Sequence, residues 1–186
     1  AESLGLRPGV MAPDSVGNVV YRGIRRGFFR DVKEVLQSGS MFSLSALDEV
    51  GGFDESLVID GVDTEVCLQL RLRGWDVLTC PLRMEHQLGN AVVIRLAGRS
   101  VLLTRHQPFR DYYMTRNRIL LIRRHWRAEP FWCLGAARRL LTALVLTLAL
   151  DSQRKVKARA IALGFRDGVA NRSGALLKER RAQWSQ

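Results

Sequence analysis

The 186 residues are 47% hydrophobic and 25% charged, proportions that exclude wholesale disorder and allow one domain with a core, or a domain and a tail. The net charge of +11 is lopsided: residues 1–104 carry 11 basic against 13 acidic side chains, and residues 105–186 carry 18 against 5. That excess in the second part points to an anionic partner, whether lipid headgroups, nucleic acid or a phosphorylated ligand.

No basic-then-apolar leader with a small-residue cleavage site is read after Ala1. Residues 1–30, rich in Gly, Pro and Arg, read as loop with at most one short strand. KEVLQSGSMFSL then gives two short β-like runs around Ser38–Gly39–Ser40. Ser45 and Asp48 have the spacing of a capping box for a short helix that Gly51 and Gly52 stop. From Asp63 to Arg73, Val66, Cys67 and Leu70 recur at helical spacing, and Gly74 follows where a terminating glycine belongs. WDVLTCP reads as a strand closed by Pro81, and LRMEH as another. VVIRL and SVLLTR, separated by AGRS, form a candidate hairpin. The helix–strand alternation indicates an α/β domain, or the later half of one.

After Pro108 the pattern turns helical. FRDYYMTRNRILLIRRHW is one helix, Pro130 opens a second, and a third covers about 153–170. The apolar run Leu140–Leu150 has eleven residues, short of the ~20 a bilayer crossing needs. It reads instead as a buried helix or one lying in a membrane interface, with flanking arginines reaching headgroups. Cys67, Cys80 and Cys133 are widely spaced without a CxxC pattern and read as reduced core cysteines of a cytosolic protein.

The chemistry-bearing residues concentrate where Asp54, Asp60, Asp63 and Glu65 surround a helix start in an otherwise basic chain. One acid there is explained by capping and by the helix dipole. Several are not, because neighbouring carboxylates repel. A carboxylate on a rigid helix start facing a cleft is suited to taking a proton from a hydroxyl nucleophile. A lone histidine such as His86 is ordinarily a satisfied polar residue rather than a metal ligand.

The stretch GSMFSLSALDEVGGFDESLVIDGVDTEVCLQLRLRGWDVLTCPLRMEHQLG resembles the second half of a GT-A-fold, family-two glycosyltransferase. Within that family it is most similar to bacterial rhamnosyltransferases, which carry D-x-V-D-T-E-W-C-L-R and Y-Y-x-x-R-N segments; here YYMTRN follows at 112–117. The resemblance implies an α/β fold: an incomplete GT-A (Rossmann-like) domain over 1–104, followed by C-terminal amphipathic helices over 105–186. It implies that Asp63 is the general base of a single inverting displacement. It further implies that His86 completes a Mg or Mn site, that Gly39 and Ser40 border the sugar and acceptor pocket, and that Asp54 shapes the acceptor side. Arg116 is expected near the donor diphosphate, with Tyr112, Tyr113 and Asn117 packing to orient its helix. Asp60 is left the plain capping role. The donor implied is a nucleotide sugar, dTDP-rhamnose, and the acceptor a saccharide, lipid-linked at the inner face of the cytoplasmic membrane. The D-x-D motif that supplies metal-binding carboxylates in the family does not occur in this sequence. This chain by itself is therefore expected to be inactive and to hold the metal poorly. Two rival readings are a basic helical module that binds nucleic acid, though no such motif is present, and a catalytically dead interaction protein.

Overall fold

The computed structural model describes residues 5–17, 19–86, 91–96, 99–104 and 107–176, the stretches 91–96 and 99–104 by backbone alone. The fold is mixed α/β, a partial Rossmann-like domain followed by C-terminal helices. Its strands are β1 (Pro8–Val16), β2 (Val19–Val20), β3 (Ile24–Arg26), β4 (Phe29–Asp31), β5 (Met41–Phe42) and β6 (Asp76–Met84), and a separate hairpin of β7 (Ala91–Leu96) and β8 (Arg99–Thr104) follows. Its helices are α1 (Leu44–Val50), α2 (Val62–Leu72), α3 (Pro108–His125), α4 (Pro130–Leu150) and α5 (Arg154–Val169).

The main sheet runs β2-β1-β6-β4-β3, with β5 also on β1; only β1 and β6 are parallel. Residues 1–30 are thus not mainly loop: β1 is a nine-residue central strand with Val10, Ala12 and Val16 buried. Its prolines are tolerated because the register with β6 shifts between Pro8 and Val10 and again between Pro13 and Ser15. Proline lacks a ladder donor and sits in sheets at such irregularities. The second shift also carries β6 through Pro81 to Met84, so WDVLTCP and the start of LRMEH form one strand. Of the two β-like runs around Gly39, only Met41–Phe42 is a strand.

Helix α1 is capped by Ser43 rather than Ser45: the Ser43 side chain accepts from the Ala46 N–H, and Gly51 ends the helix in the left-handed region. Hairpin β7–β8 forms as the sequence suggests, with Ala97 and Gly98 of its turn outside the described residues.

One core lies between the sheet and the helices α1 and α2, built on Val10, Val35, Val66, Cys67, Leu70 and Val77. A second joins α2 to α3 and α4 through Leu57, Leu68, Leu120, Leu121 and Trp132. Within it Glu65 of α2 meets His125 of α3, Nε2 to Oε2 at 2.6 Å, both buried. Helix α5 lies unusually close on α3. A Cβ at Gly164 would come within 2.5 Å of the Tyr112 carbonyl oxygen, and one at Gly168 within 2.9 Å of that of Arg116. Cys67 and Cys133 are buried, Cys80 is partly so, and all three are free.

Helix α4 is longer than the Leu140–Leu150 run and departs from the buried-helix expectation for it. It spans 21 residues from Pro130, with a mean hydropathy of 1.6 over its most apolar stretch, and by length and composition is sufficient to cross a membrane. Nor is it a buried helix: Phe131, Leu134, Leu141 and Val145 are all exposed.

Candidate functional site

The loop between α1 and α2 sets the site. Asp54 accepts from the Ser56 N–H at 2.9 Å and caps a single 3-10 turn, Glu55–Leu57. Beyond it Val58 and Asp60 take positive φ, 69° and 62°. Such a backbone is strained for a residue with a side chain, most of all a β-branched one, and persists only where the surroundings hold it. Asn117 supplies the hold: its Nδ2 donates to the carbonyls of Leu57, Ile59 and Asp60 at 2.7–2.8 Å. Gly61 completes the turn at φ 88°, where an added Cβ would lie 3.3 Å from Leu121, and α2 begins at the next residue.

That turn opens onto a cavity of about 610 Å³. Its walls are Leu36–Ser38, the 58–64 turn, His86 at the end of β6, and one face of α3 comprising Arg110, Met114, Asn117, Arg118 and Leu121. Asp63, the second residue of α2, faces this space. Burial raises its carboxyl above the ordinary aspartate range, the Thr64 and Gln37 N–H groups pull it back, and the nearby Glu34 carboxylate pushes it up further. A carboxylate held by backbone donors and paired with no cation among the described residues is a better base than a salt-bridged one. Glu34 is itself fixed by Thr64 Oγ1 at 3.0 Å and by Arg139 at 3.2 Å.

Asp63 and His86, 23 positions apart in sequence, therefore wall the same cavity. The other candidates are placed differently. Gly39 (φ 75°) and Ser40 form the turn after Ser38, with Ser40 N donating to the Gln37 carbonyl at 3.0 Å; they border the wall without lining it. Asp54 lies outside, paired with Arg124 at 2.7 Å, and that pairing together with the Ser56 hydrogen bonds keeps its carboxyl below the usual range despite partial burial. Asp60 is not a helix cap. Its carboxylate receives Arg110 Nε and Nη2 at 2.9 and 2.8 Å, a bidentate pair on the cavity wall.

Arg116 is 1% exposed, and its guanidinium donates to the Ser56, Leu57 and Gly174 carbonyls and to Asn117 Oδ1. With its donors so engaged it ties α3 to the 54–61 loop and to the segment after α5, and does not reach the cavity that holds Asp63. Tyr113 accepts from the Leu176 N–H at 2.8 Å, Tyr112 donates to Asp167 at 3.1 Å, and Arg116 lies over both rings. The Tyr-Tyr-x-x-Arg-Asn segment thus shapes the site from behind.

Arg118, two residues on, is a cavity cation that the sequence did not single out. It makes no hydrogen bond or ion pair among the described residues. Its spacing carried a signal: 110, 114, 117, 118 and 121 fall on one helical face. Among the described residues no group of three or more His, Cys, Asp and Glu side chains is placed to hold a metal ion. His86 with Asp60 and Asp63 does not by itself make up the oxygen-rich set that Mg or Mn takes.

A dTDP-rhamnosyl transferase, RfbF, of Shigella flexneri is 38% identical to this chain over 91 residues. Those residues are 48% of this chain and 30% of that protein, so the chain spans under a third of the relative's length. Over that stretch the chain is rhamnosyltransferase-like. No family model and no solved structure matches it.

Proposed function

We infer that this chain forms the acceptor side of an inverting glycosyltransferase that moves a sugar from a nucleotide diphosphate to a saccharide hydroxyl. The observation that carries the reading is Asp63. It is a carboxylate with an elevated proton affinity, fixed by backbone donors on a rigid helix start, and it opens onto a cavity of about 610 Å³, a size suited to a small ligand. The partial similarity to a dTDP-rhamnosyl transferase supports rhamnose as the sugar and dTDP-rhamnose as the donor.

In this reading Asp63 takes the proton of the acceptor hydroxyl as its oxygen attacks C1 of the donor sugar. The C1–O bond to the diphosphate breaks on the opposite face, the nucleoside diphosphate leaves, and one glycosidic bond is formed. Asn117 and Gly61 contribute by holding the turn, because a general base must stay within hydrogen-bond reach of the proton it removes. The outward face of α4, with basic residues around it, supports an anionic membrane surface as partner and a lipid-linked acceptor as substrate.

The test is transfer of labelled rhamnose from dTDP-rhamnose by the full-length protein that contains this chain. Asp63→Asn lowers the rate about 10²-fold or more with the fold retained; near-normal turnover removes Asp63 as the base.

A further inference from the structure

Met114 and Arg118 wall two spaces. One is the Asp63 cavity; the other is a groove of about 260 Å³ between α3, α4 and α5. The α4 side of that groove is formed by Leu140, Ala143 and Leu144, faced by Ile161 of α5, so it is mostly apolar. Arg118 lines both spaces, and Arg139 also lines the groove.

The charges there are unequal. Arg139 is engaged by Glu34 at 3.2 Å, whereas Arg118 has no contact partner among the described residues. Burial, and secondarily Arg139, pull the Arg118 guanidinium below its usual range, while Glu34, Asp63 and Asp60 act on it only at longer reach. A desolvated guanidinium without a contact anion favours one, and its planar fork fits a phosphate oxygen pair. The acid in the groove, Asp111, is offset by Lys157 of α5 at 3.7 Å.

We propose that the groove between α3, α4 and α5 binds the alkyl chain of a phosphorylated long-chain lipid, with Arg118 meeting the phosphate where groove and cavity join. The apolar wall, a cation with no contact anion among the described residues, and the Met114 and Arg118 lining shared with the Asp63 cavity match an amphiphile with an anionic head. Only the naming of that lipid as carrier of the acceptor rests on the glycosyltransferase reading; the binding site itself does not.

The test is calorimetric titration of the 186-residue chain with farnesyl diphosphate below its micelle concentration, against inorganic pyrophosphate and the neutral amphiphile decyl maltoside. Farnesyl diphosphate binds about tenfold or more tightly than either control. Arg118→Gln weakens it about tenfold and leaves decyl maltoside unchanged. Ala143→Trp, which fills the groove, removes farnesyl diphosphate binding and leaves pyrophosphate as before. A benzophenone-tailed farnesyl diphosphate labels residues 140–147 of the unaltered chain, which keeps the claim testable should Ala143→Trp fail to fold. Pyrophosphate binding as tightly as farnesyl diphosphate, or labelling confined to other segments, overturns the proposal. Asp63→Asn separates the two readings, since it lowers transfer in the full-length protein about 10²-fold or more while leaving lipid binding intact. Lost lipid binding with normal transfer defeats the groove alone.

Discussion

Along the seam where α3 meets α5 and the 54–61 loop, three buried charges are matched: Arg116 by backbone carbonyls, Lys157 by Asp151 at 2.6 Å, Asp167 by Tyr112 and Arg172. In the cavity at the start of α2, Asp63 accepts from backbone N–H groups and Arg118 makes no hydrogen bond or ion pair among the described residues. The two regions share residue types and lie on the same helix, two positions apart at Arg116 and Arg118. Matched groups hold the fold, and leaving one unmatched costs stability unless something else binds it. The contrast separates the residues that build the site from those available to a ligand.

Three substitutions test that division. Arg116→Ala removes the guanidinium donor from the Gly174 carbonyl and one donor each from the Ser56 and Leu57 carbonyls, and leaves a void, at a cost of about 4 kcal/mol in urea unfolding. A cost within about 0.5 kcal/mol, typical of an exposed arginine, would break the comparison on its structural side.

Asp111 sharpens it. Burial first, with Asp151 adding to it, pushes its carboxyl from 3.8 up to about 6, against the opposing pull of Lys157. A folded pKa above the unfolded one favours the protonated form, so this stabilising contribution is complete below 3.8 and is lost as the pH rises through about 6. Asp111→Asn, which stays neutral, therefore gains on the parent by roughly 2 kcal/mol between pH 4 and pH 7, read from paired urea curves. Parallel curves across that range would place the acid in a more solvated setting.

The smallest effect falls on the exposed face of α4. Leu141, 61% exposed, sits among Phe131, Leu134 and Val145 with no covering element among the described residues. Leu141→Asp weakens flotation with anionic liposomes about tenfold without lowering the unfolding midpoint. Unchanged flotation would show that this face meets something other than lipid.

The sequence made α2 legible to within a residue at each end, because an apolar stripe and a terminating glycine mark it on both sides. It drew attention to Asp63 through the resemblance more than through the surplus of acids, since Asp54, Asp60 and Glu65 find structural partners in Arg124, Arg110 and His125. It did not mark β1, where prolines at register shifts look like loop punctuation until the partner strand is known. Nor did it separate Arg116 from Arg118: periodicity assigns residues to faces of α3, but which face is buried depends on α5 and the 54–61 loop. Asp60 looked like a cap because it precedes a helix, yet the left-handed turn at Gly61 directs its carboxylate to Arg110 instead. The start of α4 at Pro130 was legible, but Arg138 and Arg139 interrupt its apolar stretch, so only Leu140–Leu150 was weighed against a bilayer.

The most direct test of the central claim is the pH dependence of kcat/KM for sugar transfer by the full-length protein, with and without Asp63→Asn. Because Asp63 takes up its proton above the ordinary aspartate value of 3.8, the parent rate falls on acidification along a limb lying above that value. In Asp63→Asn the account predicts a low residual rate from which that limb is gone. The same acid limb persisting in the variant would contradict it.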